Sequence, residues 1–172
     1  MGKLREILQE VSSLSRHQEE LTVRPRRITP RGLKIWEKQV RKKGFRKRAF
    51  AEDPQSYIDS LIPVLEKVYK KHAGFARGLV RMILDLDRMT LEAGFTEIQM
   101  NDEGYVMGYA DYTIKLTLPI AASDLGDDIP IEIEAPPEEP GYVPPDDDYV
   151  WEVYVEPIVT DLKAALQRSK LL

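Results

Sequence analysis

The 172-residue sequence predicts an α+β fold: an N-terminal helical part of about four helices, then a small, mostly antiparallel β-sheet and a C-terminal helix. Three observations carry that expectation. Apolar residues recur at helical spacing as far as Gly94. After Gly94 the period drops from 3.6 to 2. Pro, Gly, Asn and Asp punctuate the boundaries between the periodic runs. The chain divides accordingly into residues 1–94, helical and containing a basic arm and helix over 22–48, and residues 95–172, an acidic sheet part with the terminal helix.

Residues 3–21 put Leu4, Ile7, Leu8, Val11 and Leu14 on one stripe, the pattern of an amphipathic helix. Residues 22–29, with Pro25 and three arginines, read as an extended connector. Thr29-Pro30 forms an N-cap and first-turn pair and Gly44 a stop, giving a helix over 30–43. Asp53-Pro54 repeats the start signal for a helix reaching His72 and closed by Gly74. Its apolar face is Tyr57, Ile58, Leu61, Val64, Leu65, Val68 and Tyr69. Pro63 falls on the polar side of that helix, so a kink is expected rather than a break. Residues 76–92 read as the most apolar helix, with Leu79, Val80, Met82, Ile83, Leu86 and Met89 on one arc, stopped by Gly94. Asp87 would fall within that arc and would require a partner. Arg81/Asp85 and Arg88/Glu92 would be surface pairs four residues apart.

Beyond Gly94, residues 101–104 (Asn-Asp-Glu-Gly) mark a hairpin loop between residues 95–100 and a long strand. On that strand Tyr112, Ile114, Leu116, Leu118 and Ile120 share one face, and Asp111, Thr113, Lys115 and Thr117 the other. Ile129, Ile131, Ile133 and Ala135 alternate with Glu132 and Glu134, with Pro130 marking an edge or a strand start. Tyr149, Trp151, Val153 and Val155 alternate again after a stiff Pro-rich acidic loop at 136–148. A helix over about 158–170 closes the pattern.

Charge is sorted along the chain far more than its overall net of −4 suggests. Residues 1–50 carry a net +10, residues 51–100 a net −2 and residues 101–172 a net −12. Between Arg24 and Arg48 lie twelve basic residues and one acid, Glu37; between Asp124 and Asp148 lie ten acids and no base. Each half therefore presents its own field to a partner. On a helical wheel Arg31, Lys34, Lys38, Arg41 and Lys42 span an arc of about 100°, with Leu33, Trp36 and Val40 nearly opposite. Arg24, Arg26 and Arg27 upstream, and Arg46, Lys47 and Arg48 downstream, extend this stripe on flexible flanks. A helix docked by its apolar side and showing a cationic stripe suits the phosphate backbone of DNA or RNA, which needs no sequence readout. It equally suits an acidic surface formed by Asp124, Asp127, Asp128, Glu132, Glu134, Asp146, Asp147 and Asp148, in its own subunit or a neighbour. Head-to-tail docking of the second kind builds rings or filaments.

These features point to a non-enzymatic structural or assembly subunit, such as a virion, phage or nucleoprotein component, whose partners are copies of itself, other assembly subunits or nucleic acid. The alternative is a dimeric DNA-binding regulator of helix-turn-helix type, although its hairpin at 101–104 would be acidic. With no Cys, disulfides, thiol catalysis and thiolate metal sites are excluded. The acidic clusters lack the ligand order of a calcium loop, so no metal and no cofactor are expected. His17 and His72 sit in no catalytic motif, and Asp161-Leu162-Lys163 matches only half of a nuclease element, so no enzyme is expected. Residues 1–10 lack the apolar run of a signal peptide and no stretch reaches membrane-spanning length. The expected setting is the cytoplasm, or a particle assembled there. High charge and proline-rich loops also fit a thermophilic source.

Overall fold

The computed structural model describes residues 21–74, 78–100, 102–134 and 146–172. Residues 3–20 of the helix expected over 3–21, and the Pro-rich stretch 136–145, lie outside these. Thr29 caps the first long helix, α1 (Pro30–Lys43): its hydroxyl accepts from Gly32 N–H, Pro30 occupies the first turn, and Gly44 (φ 79°) ends the helix in the left-handed conformation. Before it, residues 22–24 of the expected connector form a short strand, β1 (Thr22–Arg24). A single turn, α2 (Ala49–Glu52), leads into α3 (Pro54–His72), capped by Asp53 and continuous past the exposed Pro63. All seven expected apolar positions of α3 are buried.

Residues 76–92 do not form a helix. They hold β2 (Leu79–Asp85), a turn at 86–89 and the start of β3 (Thr90–Met100), with Gly94 inside β3. Burial alternates along β2, with Met82 and Leu84 inward and Arg81, Ile83 and Asp85 half-buried on the other face. Arg81 and Arg88 are therefore not helical partners of Asp85 and Glu92. Arg81 instead crosses the sheet face over Gly94 and donates to the Thr113 hydroxyl, along the cross-strand row Arg81–Gly94–Thr113.

The β3–β4 hairpin expected around 101–104 is present, with its described turn at 102–104, and β4 (Val106–Thr117) buries Tyr112, Ile114 and Leu116. After a 3-10 turn (Ala122–Leu125), β5 (Ile131–Glu134) pairs with the middle of β4 as an edge strand. The sheet order is β1-β2-β3-β4-β5, antiparallel except for the parallel β1–β2 edge.

Residues 149–155, expected as a strand, are helical. α4 (Asp147–Val150) runs through a π-helical segment (Trp151–Val155) into α5 (Glu156–Arg168). Val150, Tyr154, Val155, Ile158, Val159, Leu162 and Leu166 face the core from this helix. Tyr154 meets the rings of Phe95 and Tyr112 on the sheet, 5.9 and 5.6 Å between centroids. Side chains from both sides of residue 94 join one hydrophobic cluster, from Trp36 to Leu171.

Two glycines mark close approaches of different hardness. At Gly32 an added Cβ would overlap the backbone carbonyl of Leu86, which cannot move without shifting the β2–β3 turn. At Gly94 it would overlap only the Arg81 guanidinium, the far end of a side chain that can swing away. Gly32→Ala is therefore expected to cost about 1–3 kcal/mol in urea denaturation, and Gly94→Ala less, through loss of the Arg81–Thr113 bond.

Candidate nucleic-acid interface

Helix α1 lies across one end of the sheet, where Asp85, Thr90 and Thr117 are neighbours on adjacent strands. Its N-terminus is tied to the β2–β3 turn. Thr29 N–H donates to Leu86 O (3.3 Å), and the Thr29 hydroxyl donates to Asp87 Oδ1 (2.7 Å). Asp87 thus has the partner its sequence position demanded, but not the burial: it sits in a turn with its side chain 40% exposed and also faces Arg31 at 3.6 Å. Its role is to brace the residue that caps α1.

The other end of α1 is held by Lys43. Its ammonium donates to Thr117 O, Thr117 Oγ1 and Pro119 O, each at 2.9 Å, and pairs with Asp124 Oδ2 at 2.8 Å. The Lys43 side chain is only 10% exposed, so these oxygens replace most of its hydration. Asp124 also caps the 3-10 turn by accepting from Ala121 N–H (2.8 Å). Close by, Ile120 N–H donates to the Tyr57 hydroxyl (3.0 Å); burial pushes that hydroxyl well above the usual tyrosine range and keeps it neutral.

Between these ends Gly32, Trp36 and Val40 are buried. Trp36 is the anchor: its indole N–H donates to Ala51 O (3.3 Å) and its ring lies 5.0 Å from that of Tyr57. Leu33, expected on this docked face, is instead 41% exposed, because Gly32 and the half-buried Ile35 face inward and turn it to the rim.

The outward face carries Arg31, Lys34, Lys38, Arg41 and Lys42, all exposed. Arg24, Arg26, Arg27, Arg46, Lys47 and Arg48 are exposed as well. Parts of these flanks are hydrogen-bonded rather than loose. Arg24 belongs to β1 and its carbonyl accepts from Leu86 N–H (3.0 Å), while Arg48 N–H donates to Phe45 O (3.0 Å). Among the described residues, Arg31 is the only member of this basic set with a carboxylate within ion-pair distance.

The acidic residues divide between internal work and display. Asp124 is committed to Lys43, and Asp146 caps α4 by accepting from Tyr149 N–H (2.8 Å). Asp127, Asp128, Glu132, Glu134, Asp146, Asp147 and Asp148 are exposed on the loop after the 3-10 turn, on edge strand β5 and at the start of α4. The hairpin acids Asp102 and Glu103 stand at the far end of β3 from α1, about 35 Å away at the rise of an extended strand. Lys43 is not among the expected basic set; it lies seven residues after Trp36, hence on the same inward side of α1, and a lone cation on a docked face is the signal that marks it.

His72, in the last turn of α3, is 17% exposed and lies 2.6 Å from Asp161 Oδ2, joining α3 to α5. Lys71 reaches the same oxygen at 2.9 Å. The Lys71 hydrogen bond, then that of His72, lowers the Asp161 carboxyl below its ordinary value. Among the described residues no three His, Asp or Glu side chains are grouped to hold a metal, and no helix is long and apolar enough to cross a membrane. No family model, curated protein or solved structure matches the chain.

Two outcomes are expected. Lys43→Met leaves several oxygens without their donor and should lower stability by about 2–4 kcal/mol, read from denaturation midpoints; Lys42→Met, on the exposed face, should stay within about 0.5 kcal/mol. A carboxyl lowered in the folded state stabilises above its unfolded pKa and loses that contribution as pH falls through the folded value. The stability gap between the unmodified chain and Asp161→Asn should therefore be full above about pH 4 and close in more acidic solution, followed by thermal unfolding at stepped pH.

Proposed function

We propose that this chain is a non-enzymatic structural or assembly subunit that holds the phosphate backbone of nucleic acid along the outward face of α1 and its flanks. One observation carries the reading. The basic set is exposed on a rim around a rigidly seated helix, and apart from Arg31 the fold supplies it with no carboxylate among the described residues. Like charges crowded on one surface repel each other, and a polyanion relieves that repulsion while releasing its counterions. The acids of the hairpin, at the opposite sheet end, would face away from such a ligand and set its side.

Nucleic acid is favoured over a neighbouring acidic surface because the exposed acids of this chain are spread over separate segments, whereas the cations follow one helix and its flanks. A helix-turn-helix regulator has less support. The next long helix, α3, starts behind the exposed Glu52 of α2 and its own exposed cap Asp53, and it carries the exposed Asp59 a turn and a half in; a DNA groove would repel these acids.

A fluorescent random-sequence duplex, titrated between about 50 and 300 mM salt, tests this. Contact with about six phosphates gives a log–log slope near −5. Replacing Arg31, Lys34, Lys38 and Arg41 with Ser should flatten the slope by about 3 to 4, with the fold unchanged by circular dichroism. Absence of binding at the lowest salt would overturn the proposal and make the rim a protein-docking surface.

A further inference from the structure

A groove of about 350 Å³ runs between α3 and α5 on a different set of residues from the basic rim. Its apolar floor is formed by the buried Val64 and Val68 of α3 and the half-buried Ala164 and Ala165 of α5, with the exposed Pro63 at its rim. It stays open because α5 presents two alanines where a larger residue would fill the space between the helices. Lys67, Lys71 and Arg168 rise at its walls. Lys71 shares the Asp161 carboxylate with His72, whereas Lys67 and Arg168 have no carboxylate partner among the described residues. The Ser60 and Ser169 side chains add hydroxyl groups at its edge.

We propose that this groove binds a small organic anion with an apolar body, its carboxylate or phosphate held by Lys67 and Arg168 and its hydrocarbon laid on the valine–alanine floor. The volume falls at the small end of the range for small-molecule sites. The two unmatched cations supply the charge complementarity, and Asp161, the one carboxylate lining the groove, is already paired with Lys71 and hydrogen-bonded to His72. An apolar floor without such walls would not distinguish an anion from a neutral ligand; walls without the floor would hold only a hydrated ion.

The test is an NMR titration of the full chain with octanoate and with octyl phosphate, using octanol as the neutral comparator. Saturable shifts confined to residues 60–71 and 161–169, with octanol at least about tenfold weaker, are expected. A response to one anion alone would identify the headgroup. Lys67→Glu with Arg168→Glu, both on the surface, should weaken binding by at least about tenfold. Ala164→Leu should abolish it by filling the groove. The rim variant carrying Ser at 31, 34, 38 and 41 should bind as the unmodified chain does, which separates this site from the nucleic-acid surface. Equal binding of octanol, no saturation, shifts elsewhere, or unchanged affinity in the Lys67/Arg168 double variant would overturn the proposal. Saturation of the groove by an acidic peptide but by neither anion would also overturn it.

Discussion

The Lys43 ammonium is the point on which the arrangement of the helices and the sheet turns. A cation that has given up most of its water must find oxygens, and four converge on it: two carbonyls and a hydroxyl at the end of β4, and the carboxylate of Asp124. None of these belongs to α1. The bond therefore fixes the helix C-terminus to the sheet end, while Gly32, packed against the Leu86 carbonyl, fixes the N-terminus to the next turn along. With both ends held and Trp36 buried between them, α1 cannot rotate about its axis. Its basic side has one direction in which to point, and that direction is solvent.

Charge is used in two ways as a result. A few ionic groups act inside the fold: Lys43 with Asp124, Asp87 bracing the cap of α1, and Asp161 linking α3 to α5 through His72 and Lys71. Of these, the Lys43–Asp124 contact is the one whose breaking leaves desolvated partners, since the Lys43 side chain is only 10% exposed. The remaining cations of the rim are solvated and contribute little to stability. They are a surface for something else, and the proposed polyanion answers the charge that the fold itself leaves unanswered.

The two helix–strand reversals share a physical cause. In residues 79–89, strand alternation, the short turn and the inward Leu86 and Met89 produce apolar spacings of three and four by coincidence. The turn carries no Gly or Asn to betray it. Met89 itself takes the left-handed backbone (φ 53°), a conformation costly for such a residue, and is held there with its side chain wholly in the core. In residues 149–155 the opposite happened. Tyr149, Trp151, Val153 and Val155 alternate in the sequence, but on the helix, whose phase the π-helical segment shifts by a residue, Val155 is turned inward with Val150 and Tyr154 instead of with the other three. Short apolar runs do not carry enough periods to separate the two geometries.

What the sequence determined alone was whatever rests on local chemistry. The caps at Thr29 and Asp53, the stop at Gly44, the inward Trp36 and Val40 of α1, the inward face of α3 around Tyr57, the β3–β4 hairpin and the separation of charge all follow from neighbours within a few residues. What the tertiary structure decided needed partners distant in the chain. Lys43 became structural because Thr117, Pro119 and Asp124 arrive from more than seventy residues away. Asp87 became a brace because Thr29 lies beside it, and the α3–α5 groove exists because two alanines meet two valines across the packed helices. Periodicity reports which side of an element is apolar; only packing decides which distant polar group that element will bring along.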